Sequence, residues 1–143
     1  MKTLRLSSCI VFLILLVFSC EKRICGCDFP PSPLVGDWTL NTVTYGLTQK
    51  TVTAAEAGYS ESLFYDGIMN SGTYRQTRNG LPIQSSSYTL SFPNGGSTQG
   101  IIYYKQDSTE QSFRLADGKL YLTERTPQGT TLADGSTYAY KKQ

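Results

Sequence analysis

Histidine is absent from all 143 residues of the chain. That excludes Ser-His-Asp and Cys-His nucleophilic catalysis and every His-based metal site. What remains for chemistry is four cysteines, eleven carboxylates and scattered serines. Cys25 and Cys27 stand one residue apart. Two thiols do not complete a zinc site, and a disulfide across one residue is strained. They read either as a redox or metal pair or, more simply, as a feature of a connecting segment without a catalytic role. Asp37, Asp66, Asp117 and Asp134 stand at turns or strand starts, where aspartate has a backbone reason to be. Nothing pairs two carboxylates for acid–base work. There is no Gly-rich phosphate loop, no nucleophile elbow and no zinc spacing, and Ser85-Ser86-Ser87 simply begins a strand. An enzyme, a metal and a cofactor are therefore not expected.

The most informative cysteine is Cys20. Nine consecutive apolar residues, 10–18, follow Lys2 and Arg5, and Cys20 comes directly after them. A spanning helix needs ~20 apolar residues, so 1–19 reads as a secretory signal peptide. Its removal takes Lys2 and Arg5, leaving 11 Lys+Arg against 11 Asp+Glu and moving the net charge from +2 to zero. A neutral domain is not expected to bind nucleic acid. Val17-Phe18-Ser19-Cys20 resembles the lipobox of bacterial lipoproteins, whose cysteine sulfur receives diacylglycerol before cleavage. The resemblance implies a palmitate-type membrane anchor on Cys20; the alternative is an ordinary signal peptide with an incidental cysteine. One acyl chain holds only marginally, at about 0.8 kcal/mol per CH₂, whereas two or three hold firmly. Glu21 is not the aspartate that retains lipoproteins at the inner membrane in some bacteria, so the outer membrane is expected. Residues 20–33 include Pro30, Pro31 and Pro33 and read as an extended tether.

From residue 34 to 143 the elements that would position a site are strands. Ten tyrosines and twelve glycines frame short apolar runs broken by turns. Eight strands are predicted, at 36–46, 59–66, 72–79, 83–92, 100–106, 110–116, 119–126 and 136–142. Asp117-Gly118 favours a type I′ hairpin, which sets Leu115 against Leu120 and Phe113 against Leu122 on one face. Arg114 and Tyr121 then pair on the other. Asn79-Gly80 predicts a second hairpin. Residues 101–104 are apolar on both faces, so one face is expected to meet a loop or a partner. A single helical turn is expected at 53–58, with Thr53 as N-cap, Glu56 as capping-box partner and Gly58 as the stop. Eight antiparallel strands around one modest core most simply close into an up-and-down barrel with no free edge, and a two-sheet sandwich competes.

Leu34-Val35-Gly36-Asp37-Trp38-Thr39-Leu40 resembles the opening of lipocalin-like domains, whose first strand begins Gly-x-Trp. The stretches 59–63, 66–67, 73–75 and 78–80 resemble the middle of small bacterial lipocalin-like lipoproteins, and 120–122 with 133–138 resemble their end. One departure is Asp66-Gly67, followed by residues 68–72 on the way into the next predicted strand, longer than the tight turn usual there. The resemblance implies an eight-stranded barrel with one open end and Trp38 as a plug under the other. It also implies an arginine lying across Trp38, for which Arg125 and Arg114 are the candidates. The interior is expected to carry Tyr88, Leu90, Phe113, Leu115, Leu120, Leu122 and Tyr138, either lining a cavity for a small apolar ligand or interlocking as a packed core. Two functions follow. One is an anchored envelope barrel that holds or carries such a ligand. The other is an envelope lipoprotein with a solid core that meets a protein or glycan through the loops 47–58, 84–99 and 126–137.

Overall fold

Alternating side chains and left-handed turn residues fold the chain into ten strands in this computed structural model, which describes residues 29–143. The signal segment, Cys20 and the Cys25/Cys27 pair lie outside the described residues. The strands are β1 (Gly36–Thr44), β2 (Thr51–Thr53), β3 (Glu61–Ile68), β4 (Ser71–Arg78), β5 (Leu81–Ser91), β6 (Gln99–Tyr104), β7 (Thr109–Ala116), β8 (Lys119–Thr123), β9 (Thr126–Pro127) and β10 (Thr137–Lys142). Eight of them form a ring in the order β1-β3-β4-β5-β6-β7-β8-β10, and β10 returns to pair with β1. Leu40 stands opposite Tyr140 and Trp38 opposite Lys142 at this closure. All pairings are antiparallel, so the architecture is the closed up-and-down barrel and not the sandwich. The short β2 and β9 extend the sheet beside β1 and β7.

The turn chemistry explains the register. Asn79 and Gly80 have φ of 52° and 78°, and Asp117 and Gly118 have 52° and 69°. Both central residues are left-handed, as a type I′ turn requires, and Asn, Asp and Gly tolerate that region best. Phe113 accordingly faces Leu122, Leu115 faces Leu120, and Arg114 faces Tyr121. The capping box also forms. Thr53 N donates to Glu56 Oε2 at 2.7 Å and Glu56 N to Thr53 Oγ1 at 3.2 Å, closing one turn. The Thr53 hydrogen bonds hold the Glu56 carboxyl below its ordinary range.

Three expectations are corrected. The β3–β4 hairpin does not turn at Asp66-Gly67: both strands continue, Gly67 faces Gly72, and the reversal is made by Met69-Asn70. A side chain could not replace either glycine, because a Cβ on Gly72 would lie 1.9 Å from the Asp66 carbonyl oxygen. Next, the tether is not free to its end. Ser32 N donates to Gly67 O, Met69 N donates to Pro30 O, and Leu34 is fully buried. Proline lacks a donor but keeps its carbonyl, so Pro30 can still accept from a strand end. Lastly, of the loop segment 84–99, residues 84–91 belong to β5, as the predicted strand 83–92 has them, with Ser86 buried inside the barrel.

Antiparallel order gives the barrel two unlike ends. At one lie residues 30–35, the Met69-Asn70 and Asp117-Gly118 turns and the chain end. Leu34, Trp38 and buried Ser32 close it, and Trp38 Nε1 donates to the Leu34 carbonyl at 2.8 Å. Among the described residues no arginine lies over Trp38. Lys142 does, its Nζ 5.5 Å from the ring centroid, because β10 pairs residue 142 with residue 38. Arg114 instead covers Tyr121 on the outer face.

The middle of the barrel is filled with tyrosine. Tyr65, Tyr88 and Tyr104 are fully buried, and Tyr74 nearly so. Their rings pack at centroid distances of 5.1 Å (Tyr65–Tyr74), 5.3 Å (Tyr65–Tyr88, edge on) and 4.9 Å (Tyr74–Tyr104), the spacing at which aromatic pairs attract. On β6, Ile102 and Tyr104 point inward while Ile101 and Tyr103 remain half-buried outside.

Candidate functional site

At the open end the inward-facing rows change character. Along β3 the row runs from Leu63 to Glu61, along β4 from Tyr74 through Gln76 to Arg78, and along β5 from Tyr88 through Ser86 to Gln84. Along β7 it runs from Phe113 to Gln111, and beyond β8 from Leu122 to Glu124. Together with Tyr138, Tyr140 and Arg125 these side chains line a cup of about 220 Å³. That is below the ~300–1,000 Å³ usual for ligand pockets. The cup is a mouth, not a channel down the barrel.

Its floor is a hydrogen-bonded relay. Tyr104 OH donates to Gln111 Oε1 at 2.9 Å, so the 2.8 Å contact between Tyr65 and Tyr104 has Tyr65 donating. Gln111 Nε2 donates in turn to Thr123 O. Tyr74 OH donates to Gln76 Oε1. Burial pushes the pKa of Tyr65 well above the phenol range, reinforced by the neighbouring Tyr104, and burial also raises Tyr74 and Tyr104. All three are neutral donors at physiological pH.

One wall carries a satisfied ion pair. Glu61, only 3 % exposed, receives Arg78 Nε at 3.0 Å and Arg78 Nη2 at 2.8 Å on one oxygen, and Tyr140 OH at 2.6 Å on the other. The Glu61 hydrogen bond raises the Arg78 pKa, and burial followed by Glu61 raises that of Tyr140. The opposite wall carries Arg125, whose side chain is 18 % exposed. Its Cζ lies 3.6 Å from the Tyr104 ring centroid and 5.1 Å from that of Tyr74, a cation held over two aromatic faces. Nη1 donates to Gln84 Oε1 at 2.5 Å and reaches Asp107 Oδ2 at 3.3 Å. Among the described residues both of these hydrogen bonds leave from Nη1, and the hydroxyls of Tyr104 and Tyr74 lie beside the guanidinium and share in its hydrogen bonding. Burial alone would lower the Arg125 pKa, but the hydroxyls of Tyr104 and Tyr74 outweigh it and the net direction is upward. Burial works against the Asp107 charge as well, yet Thr109, Gln84 and Arg125 together lower its pKa.

The seven interior residues expected from sequence are not all at this site. Tyr88, Leu90, Phe113, Leu120 and Leu122 are buried, and Leu115 and Tyr138 pack partly buried against them. Only Leu122 and Tyr138 line the cup. The Tyr88 hydroxyl is spent on Ser32 Oγ at 2.8 Å on the closed side, and Phe113 packs edge-on to Phe92. The polar members of the cup were not anticipated. For Glu61, Gln76, Gln111 and Glu124 the signal was parity, each being an inward position two residues beyond an apolar inward one at the same end of the barrel; Arg78 and Gln84 extend such rows by one more step, and Arg125 breaks the alternation. Among the described residues no cluster of three or more metal-ligating side chains occurs.

No family model and no curated protein matches the chain. Similar solved structures include a fatty acid transporter, REP1-NXSQ, at 12 % identity and a TM-score of 0.46, covering 77 % of this chain and 96 % of that one. A mutant of the fluorescent protein UnaG is similar at 12 % identity and a TM-score of 0.45, with coverage of 77 % and 96 %. Apo lipid binding protein 8 of Caenorhabditis elegans is similar at 16 % identity and 0.42, with coverage of 76 % and 94 %.

Proposed function

We propose that the protein is a lipid-anchored envelope barrel that binds a small amphiphilic ligand in its mouth cup. The acidic head of the ligand lies on Arg125, and its short apolar part lies against Leu63, Leu122 and the faces of Tyr74, Tyr138 and Tyr140. The observation that carries this reading is Arg125, a partly buried guanidinium that lines a concave site, held through Nη1 by Gln84 and Asp107 and flanked by the neutral hydroxyls of Tyr104 and Tyr74. A forked guanidinium of this kind matches a carboxylate or phosphate bidentately. The filled tyrosine floor favours a short ligand over a long chain threaded down the axis. Anchoring through Cys20 and an outer-membrane location belong to the same proposal, and no catalytic step is assigned.

The test is calorimetric titration of the mature domain with short-chain and aromatic carboxylates beside their matched alcohols. Saturable binding of acids and not alcohols, lost in Arg125→Met, is the expected result. Equal affinity for acid and alcohol, or no binding of either to the folded domain, refutes it. For the anchor, radioactive palmitate should label the wild type and not Cys20→Ser.

The solid core also supports a second reading, an interaction protein acting through its loops. Leu47 and Leu132 stand exposed there, in the segments 47–58 and 126–137. Crosslinking in intact cells separates the two, since a partner would depend on those loops and not on Arg125.

A further inference from the structure

Three apolar side chains project from the closed end of the barrel. Phe29 is 57 % exposed, Ile68 56 % and Met69 48 %. They are neighbours: Met69 N donates to the carbonyl of Pro30, the residue after Phe29, and Pro31 bridges Ile68. Met69 is also conformationally costly. It occupies φ of 52°, a left-handed position at a hairpin tip where Gly or Asn is usual and a long apolar side chain is strained. A local preference set aside at an exposed tip points to something outside the barrel that the side chain meets.

We propose that this closed end lies on the membrane, with Phe29, Ile68 and Met69 seated among the lipid head groups and the cup facing away. The inference rests on the anchor reading above. Eight residues lie between Cys20 and Phe29, and the nine steps of chain that join them span at most ~30 Å. An acylated Cys20 therefore tethers the barrel to the bilayer by this end, the one nearer the anchor along the chain. Charge does not compete with it. Asp66 and Asp117 at this end are offset by Lys119 and Lys141, so apolar insertion and not attraction to anionic lipid makes the contact. The mouth also carries exposed apolar residues, Leu81 at 68 % among them, so stickiness alone predicts no preference between the ends.

The experiment uses the full lipidated protein in vesicles of zwitterionic phosphatidylcholine containing nitroxide-labelled lipid. A fluorophore is placed on Met69→Cys or Leu81→Cys in a background where Cys25 and Cys27 are serine. The emission of Trp38, the single tryptophan, reports that each variant is folded. The label at 69 is expected to shift to the blue and to be quenched several-fold more than the label at 81, with no dependence on added salt. Equal quenching at both positions, stronger quenching at 81, or none at either while the protein still floats with vesicles overturns the orientation and leaves the anchor standing. Failure of the wild-type protein to float with vesicles overturns both.

Discussion

Replacing Tyr104 by phenylalanine should cost more than replacing Tyr65, although the two hydroxyls share one hydrogen bond. The reason is direction. Tyr104 gives its proton to Gln111, so Tyr65 must donate to Tyr104. Tyr65→Phe removes one bond and leaves Tyr104 still donating, a loss of about 1 kcal/mol. Tyr104→Phe removes both bonds and strands the Tyr65 proton in a fully buried site without an acceptor. The lost bonds and the orphaned donor together give about 2–4 kcal/mol. The double variant keeps both rings in place and strands nothing, so its cost returns to about 1–2 kcal/mol, below that of Tyr104→Phe alone. Urea unfolding followed by Trp38 emission reads this directly. At about 1–3 kcal/mol per molar urea, Tyr104→Phe lowers the midpoint by roughly 1–2 M, and adding Tyr65→Phe recovers part of it. A Tyr65→Phe variant as unstable as Tyr104→Phe, or a double variant at the sum of the two, refutes the assigned direction of the relay.

Alkali should unfold the barrel cooperatively. Burial raises the folded-state pKa of Tyr65, Tyr140, Tyr74 and Tyr104, so the stability they contribute is intact below the unfolded value of ~10 and is lost as pH rises above it. Phenolate absorbance of these tyrosines should therefore rise together with loss of the Trp38 signal; all ten tyrosines titrating near pH 10 with the fold intact would contradict this. Gly72→Ala should cost about 3 kcal/mol or more, since its Cβ meets the Asp66 carbonyl at 1.9 Å. Gly80→Ala, with nothing within 4 Å, should lose only about 1–2 kcal/mol for its left-handed φ, and thermal melts distinguish the pair. Arg78→Ala should destabilise by about 2–3 kcal/mol, leaving buried Glu61 without its cation. Glu61→Gln should cost about 1 kcal/mol because Tyr140 keeps an acceptor. The reverse order in urea would show that the Glu61 site is wet.

Much of the fold was legible because two local signals agreed wherever they mattered. Asp117-Gly118 and Asn79-Gly80 named their turns, and the alternation on either side then left one register that buries Phe113, Leu115, Leu120 and Leu122 together. Thr53 and Glu56 carried their own cap. What failed had misleading local chemistry. Asp66-Gly67 has the composition of a turn, but here Gly67 serves close backbone approach to Gly72, and the true turn carries Met69, which no turn preference selects. The prolines at 30–33 argued against pairing, yet the Pro30 carbonyl accepts from Met69 N just past β3 and Ser32 N donates to Gly67 O within it. The lysine over Trp38 depends on the register of the last strand, which no nearby turn residue fixes.

The cup was hidden for a different reason. Glu61, Gln76, Arg78, Gln84 and Gln111 lie at strand ends, where polar residues are ordinarily read as solvated, and each alone looks like the finish of a half-buried strand. Their inward parity acquires meaning only when the ring closes and brings four separate strand ends round one axis. Arg125 is harder still, because it follows β8 and breaks the alternation: Leu122 and Glu124 point in, and the next residue should point out. It turns inward because the strand has already ended, Gln84 and Asp107 accept its Nη1, and the Tyr104 face lies beneath it. The residue argued to hold the ligand is therefore placed by three partners distant in sequence, at positions 84, 104 and 107. A close polar contact across the barrel mouth of this kind is set by tertiary packing and leaves no local periodic trace.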